Sequence, residues 1–227
     1  MSSAPTINAI PTEYAGEMFR SRLEARWAIF FDRMKIKWEY EPEGYTDGET
    51  MYLPDFWLPD FDCFFEIKPG SYDDTKARML VDLTGKTCYV AMGPPAKSED
   101  QYHVEDSMHV LTPQGWDNFH QWCACPHCKK LGIQYSGWGG RICWSRCWKL
   151  PKSVEWGGTV HDTPLAIANH HEHSCGRSDE ISAAMEFARS YRFVTSTSPV
   201  MPNRTPIKTS GPYVSLRDRL MSEQNKS

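Results

Sequence analysis

The stretch that most limits how this chain can fold runs from Tyr52 to Lys68: Tyr-Leu-Pro-Asp-Phe-Trp-Leu-Pro-Asp-Phe-Asp-Cys-Phe-Phe-Glu-Ile-Lys. Two apolar runs, Tyr52 to Leu58 and Cys63 to Lys68, flank Pro59-Asp60, the pattern of two strands joined by a turn. A hairpin centred between Asp60 and Phe61 sets Leu58 against Cys63, Trp57 against Phe64 and Asp55 against Glu66. Side chains alternate along a strand, so Asp55, Glu66 and Lys68 share one face while Phe65 and Ile67 point the other way. Opposed residues have Cβ atoms roughly 4.5–5.5 Å apart, and like charges so placed repel. A solvated sheet face would tolerate the two carboxylates, but Trp57 and Phe64 on the same face make full solvation unfavourable. The pair then needs a shared proton or a cation. Mg²⁺ or Mn²⁺ suits it, because hard divalent ions take oxygen ligands from one or two carboxylates and keep several waters. Lys68, one step along that face, can offset developing charge.

The rest of the chain supplies a frame for this hairpin. Phe19, Leu23, Trp27, Phe30 and Met34 recur at spacings of three and four, which predicts a helix over 14–34 after a flexible lead over 1–13. Ile36 to Tyr40 reads as a short strand. Asp73 to Thr84 reads as a helix, with Asp73 as N-cap and Gly85 as stop. Thr87 to Met92 and Met108 to Leu111 read as strands, and Thr112 as the cap of a helix running to about Trp122. The order helix, strands, helix, strands predicts a mixed α/β sheet with helices on both sides. At 227 residues, with 40% hydrophobic and 13% aromatic residues, the chain can bury a core. A net charge of -4 argues against coating nucleic acid by bulk charge and leaves local basic patches open.

Together these features resemble the PD-(D/E)XK, or restriction-endonuclease-like, nuclease superfamily. Pro54-Asp55 and Glu66-Ile67-Lys68 match its motif, and Glu24, in Ser21-Arg-Leu-Glu-Ala-Arg26, matches the glutamate that the family often carries on its first helix. Tyr-x-Pro-Asp-Phe followed by Glu-x-Lys-Pro also looks like the nuclease subunit of some transposition systems and like phage proteins. The resemblance covers about residues 15–115, within an expected core over 14–122. It implies Mg-dependent hydrolysis of DNA phosphodiesters, with catalytic Glu24, Asp55, Glu66 and Lys68. Asp55, Glu66 and the Ile67 carbonyl would hold the metal, and Glu24 would bind a second metal or a metal-bound water. It implies an endonuclease or nickase first, and as alternatives a phage-type exonuclease or recombination nuclease, or an inactive nucleic-acid- or protein-binding adaptor. Cutting both strands at once with one site per chain would call for a homodimer.

From Cys123 the texture changes. Five of the 8 cysteines lie between Cys123 and Cys147, and Cys125-Pro-His-Cys128 is a CxxC knuckle. Cys125, Cys128, Cys143 and Cys147 have spacing compatible with a structural Zn²⁺ site, with His173 and Cys175 as alternative ligands and Cys123 and His127 near enough to compete. A zinc module over 123–194 is therefore expected. It ends in a helix from Asp179 to Phe193, and a tail rich in Ser, Thr and Pro, over 195–227, reads as disordered. Arg20, Arg22 and Arg26 on the first helix, with Lys129, Lys130 and Arg141, are candidate contacts to nucleic acid. Met1 to Thr12 has no apolar signal region and no run reaches membrane-span length, so the expected compartment is the cytoplasm of a bacterial or phage-infected cell, away from membranes.

Overall fold

The first helix starts later than apolar periodicity alone predicts, and the reason is a turn. In the computed structural model, which describes residues 9–70, 73–95, 108–125, 127–135, 154–156, 159–161 and 178–193, strands β1 (Thr12–Tyr14) and β2 (Glu17–Phe19) form a tight hairpin. Ala15 and Gly16 both take positive φ (54° and 81°), the conformation that a two-residue hairpin turn demands. Helix α1 (Arg22–Arg33) follows. Ser21 caps it, accepting the Glu24 N–H, and Glu24 accepts the Ser21 hydroxyl in return. The lead expected over 1–13 therefore contains strand residues, and the helix expected over 14–34 is a hairpin followed by a shorter helix. Lys35, at φ 57°, ends α1 in the left-handed region with Ile36 N–H donating back to the Phe31 carbonyl at 2.8 Å.

The chain then forms β3 (Glu39–Tyr40), β4 (Tyr45–Thr46), β5 (Met51–Tyr52) and β6 (Phe56–Leu58). A 3-10 turn over Pro59–Phe61 leads into β7 (Cys63–Lys68). Next come α2 (Thr75–Thr84), β8 (Thr87–Met92), β9 (Met108–Thr112), β10 (Gly115–Ala124) and β11 (Leu131–Tyr135). A small pair, β12 (Val154–Trp156) and β13 (Thr159–His161), and helix α3 (Asp179–Ser190) complete the described elements. Seven strands form one mixed sheet in the order β11-β10-β9-β8-β7-β6-β3. Among the described residues, β7 and β8 are the sheet's one parallel pair, because α2 carries the chain across between them. Gly85, at φ 67°, closes α2 with its N–H on the Val81 carbonyl. Asp73 accepts the Thr75 N–H at 2.9 Å at the other end, although the backbone cap is Asp74.

The two faces of the sheet are filled differently. Under α1 and α3 lies a large aromatic core that includes Trp27, Phe30, Phe31, Phe56, Phe65 and Trp122. Under α2 lies a smaller one with Phe64, Leu80, Val81, Cys88, Val90 and Leu111.

One expectation is corrected here. The helix expected from Thr112 to Trp122 is strand β10, paired antiparallel with β9 and β11. Thr112-Pro113 resembles a cap and first helical residue, but the chain reverses through Pro113-Gln114 to Gly115 at φ 134°, and Thr112 Oγ1 donates to the Gly115 carbonyl at 3.0 Å. The boundary expected between 122 and 123 consequently falls inside β10. Beyond it, β11 extends the same sheet, and Ile181, Ala184, Met185 and Ala188 of α3 join the same buried cluster as α1.

Candidate functional site: a buried carboxylate pair at the end of β7

The β6–β7 hairpin has the register read from the sequence: Leu58 faces Cys63, Trp57 faces Phe64 and Phe56 faces Phe65. One step further, side chains take over from the ladder. Asp55 N–H donates to Glu66 Oε1 at 2.9 Å, and Ile67 N–H donates to Asp55 Oδ2 at 2.8 Å. Each carboxylate thus satisfies a main-chain donor beside the other. Asp55 is 7% exposed and Glu66 0%. Lys68 Nζ lies 2.8 Å from Glu66 Oε2.

The electrostatics follow from that burial. Asp55 is pushed well above the usual carboxylate range, first by burial, then by Glu66 and, more weakly, Glu24, against the opposing pull of Lys68 and the Ile67 N–H. Burial alone would lower the Lys68 ammonium, but Glu66 and Asp55 outweigh it and hold the group above its ordinary value. Tyr52 is pushed up by burial and by Glu66, whose carboxylate its hydroxyl meets, so it stays a hydrogen-bond donor.

The N-terminus of α1 closes the site from another side. Glu24 Oε1 accepts Ser21 Oγ–H at 2.7 Å, and Glu24 Oε2 accepts the Arg20 N–H at 3.1 Å and the Tyr40 hydroxyl at 2.5 Å. Arg20 pairs through Nε with Glu41 and holds Nη2 3.8 Å from Asp55 Oδ1. Glu24 is therefore both a helix cap and a charge felt at Asp55. Tyr40, Glu41 and Tyr52 were not singled out from the sequence. Tyr52 had a visible signal, since it lies three residues before Asp55 at the start of the same apolar run.

The donor set fits a hard divalent cation. Asp55, Glu66 and the Ile67 carbonyl are all oxygen donors, and the Ile67 carbonyl lies on the same strand edge as the N–H that reaches Asp55. Among the described residues no three or more His, Cys, Asp and Glu side chains converge as a ligand group. A cation here would take two carboxylates, a main-chain oxygen and water.

The other candidates are scattered. Arg22 is partly buried in the first turn of α1. The Arg26 guanidinium donates to the Ala188 carbonyl at 3.0 Å and to the Arg189 carbonyl, at the C-terminus of α3. Lys129 and Lys130 are exposed and, with Lys35, Phe61 and Tyr89, line a cleft of about 810 Å³ near the start of β7, away from the carboxylates at its end. In the turn between β10 and β11, the Cys128 N–H donates to buried Cys125 Sγ at 3.5 Å, and Cys125 N–H bonds the Lys130 carbonyl at 3.0 Å. Cys143, Cys147, His173, Cys175, Arg141 and the tail over 195–227 lie outside the described residues. Among the described residues no helix is long and apolar enough to cross a membrane.

No protein-family model matches this chain, and neither a curated protein nor a solved structure matches it.

Proposed function

We propose that this protein is a metal-dependent deoxyribonuclease of the PD-(D/E)XK type, cutting within DNA strands or nicking them. The observation that carries the reading is the reciprocal pairing of buried Asp55 and Glu66, with Lys68 on the second carboxylate. Two carboxylates this close and this buried need a shared proton or added positive charge; Lys68 offsets Glu66, and a divalent ion would offset both. The fold order supports the reading as well, since a helix, an antiparallel hairpin and a helical crossover to a parallel strand frame the pair.

Asp55, Glu66 and the Ile67 carbonyl would hold a divalent ion, which would supply Lewis acidity and charge neutralisation for phosphodiester hydrolysis. Lys68 orients the attacking water and balances the negative charge that builds on the phosphate. Tyr52 and the Asp55 N–H fix the direction of Glu66, and Glu24 adds negative potential at Asp55. The Cys125–Cys128 turn, with a main-chain N–H on the sulfur, favours a structural Zn²⁺ completed by Cys143 and Cys147 or by His173 and Cys175.

The test is cleavage of supercoiled plasmid and of linear single- and double-stranded DNA in Mg²⁺, Mn²⁺ or EDTA, comparing native protein with Asp55→Ala and Lys68→Ala. Metal-dependent cutting that both variants lose is the expected result, and the products separate nicking, double-strand cutting by a dimer and decay from ends. DNA binding without cutting, unchanged in the variants, would replace this reading with a binding adaptor.

A further inference from the structure

The guanidinium of Arg20 occupies a position that the pairing of Asp55 with Glu66 does not explain. Its Nε is tied to Glu41, whose side chain is 7% exposed and whose backbone, at φ 46°, is held by an N–H bond to the Asp55 carbonyl at 2.9 Å. A non-glycine residue in the left-handed region is uncommon and persists where the surroundings over-determine it. Glu41 is therefore a fixed anchor. The other end of the guanidinium is loose: Nη2 lies 3.8 Å from Asp55 Oδ1, within ion-pair range but beyond a hydrogen bond, and the Arg20 side chain is 48% exposed. Of its five N–H donors, those not engaged by Glu41 and Tyr40 remain for a further partner.

We propose that Arg20 is a two-position cation beside the carboxylate pair: it balances Asp55 in the metal-free protein and clamps a non-bridging phosphate oxygen once a divalent ion takes over that carboxylate. The proposal rests on the metal-dependent reading of Asp55 and Glu66. Two cations facing one carboxylate repel each other, so metal entry drives Nη2 off Asp55. Glu41 keeps the guanidinium at the mouth of the site, where its planar fork matches a phosphodiester. The subsite is thus selective for the phosphate next to the cut, without reading a base.

The two roles predict opposite signs, which a merely structural arginine does not. Mn²⁺ binding is measured by electron paramagnetic resonance on the full chain, native and Arg20→Gln, and affinity for a short duplex is measured in Ca²⁺. Removing a half-exposed positive charge beside the site should tighten Mn²⁺ roughly threefold to tenfold. The same variant should bind the duplex about tenfold more weakly, as expected when a charge-assisted bond to phosphate is removed. Arg20→Lys keeps the charge and loses the fork, so its Mn²⁺ affinity should stay native while its duplex affinity falls. Where circular dichroism shows that Arg20→Gln keeps the native fold, unchanged or weaker Mn²⁺ binding overturns the proposal, as does unchanged duplex binding. A variant that has lost its fold weakens both affinities together, and Arg20→Lys then decides. Equal Mn²⁺ binding by native protein and Asp55→Ala defeats the metal site itself, and the Arg20 proposal falls with it.

Discussion

The two faces of the central sheet are built from the same hairpin with opposite outcomes. On the α1 side, Phe56 and Phe65 stand opposed and sink into a continuous aromatic core with Trp27, Phe31 and Trp122. On the α2 side, Trp57 and Phe64 stand opposed, but the next positions along that face are Asp55 and Glu66. One face gains stability from every residue it buries, and the other gives up some of that gain by holding two carboxylates out of water. Structure and chemistry are thus separated by the two-residue period of a strand: the aromatic face is the scaffold, and the carboxylate face is what it holds in position.

Substitutions on the carboxylate face should break activity and leave the fold intact. Lys68→Ala and Glu66→Gln are each expected to lower cleavage about a thousandfold, with circular dichroism and thermal midpoint close to native. A thousandfold loss accompanied by unfolding would erase the distinction between the faces.

On the aromatic face the expectation reverses. Trp122 is 1% exposed and its ring meets Phe30, Phe31, Phe61 and Phe65. Trp122→Ala should cost about 3–5 kcal/mol in urea unfolding. Wherever the variant remains folded, cleavage should keep its metal dependence. A destabilisation below about 1 kcal/mol, well short of the usual range for a buried aromatic, would mean that β10 contributes little to this core.

How legible these faces were in the sequence depends on how local the information is. The β6–β7 register could be read because Pro59-Asp60 marks the turn and a one-residue slip would bury Asp55 and Glu66 among the aromatic residues. Gly85 announced the end of α2 for a similar reason, since it supplies a backbone conformation that few residues adopt. Thr112-Pro113 misled because the same residues begin helices and turns, and only pairing with distant β9 and β11 decides between them. Ala15-Gly16 was missed because the apolar spacing from Phe19 onward hid a hairpin whose partners are close in sequence but short. Of the candidate site, Asp55, Glu66 and Lys68 came from the motif and register. Arg20 with Glu41 required proximity between segments that carry no motif, whereas Tyr52 opens the motif and only its contact with Glu66 needed the fold.

The cost assigned to the carboxylate face has its own test. Asp55 has a folded-state pKa raised above its unfolded value, so the stability linked to it is fully present below the ordinary aspartate range and is lost as pH rises through the raised value. Metal-free protein should therefore lose thermal stability progressively from about pH 4 upward, in excess of the trend in Asp55→Asn. At neutral pH, Asp55→Asn should be more stable than native by about 1–2 kcal/mol while failing to cut DNA. Mg²⁺ should recover most of the difference for the native protein and none for the variant, which differential scanning fluorimetry with and without EDTA measures. Parallel pH profiles for the two proteins would remove the argument that this face is held under electrostatic strain.

The smallest effect tests whether α3 belongs to the scaffold face. Arg26 Nη1 donates to the Ala188 carbonyl at the end of α3, and the Arg26 guanidinium also lies 5.6 Å from the Phe193 ring centroid. A cation at a helix C-terminus satisfies carbonyls that lack partners inside the helix and meets the negative end of its dipole. Arg26→Gln should cost about 1 kcal/mol in global unfolding and raise amide exchange in 179–190 more than in β7. Because the Arg26 guanidinium is engaged by α3, the same variant should bind DNA within about twofold of native, whereas removing an arginine that grips phosphate would weaken binding more and flatten its salt dependence. A large fall in DNA affinity with no change in α3 exchange would move Arg26 from the scaffold to the substrate side of the molecule.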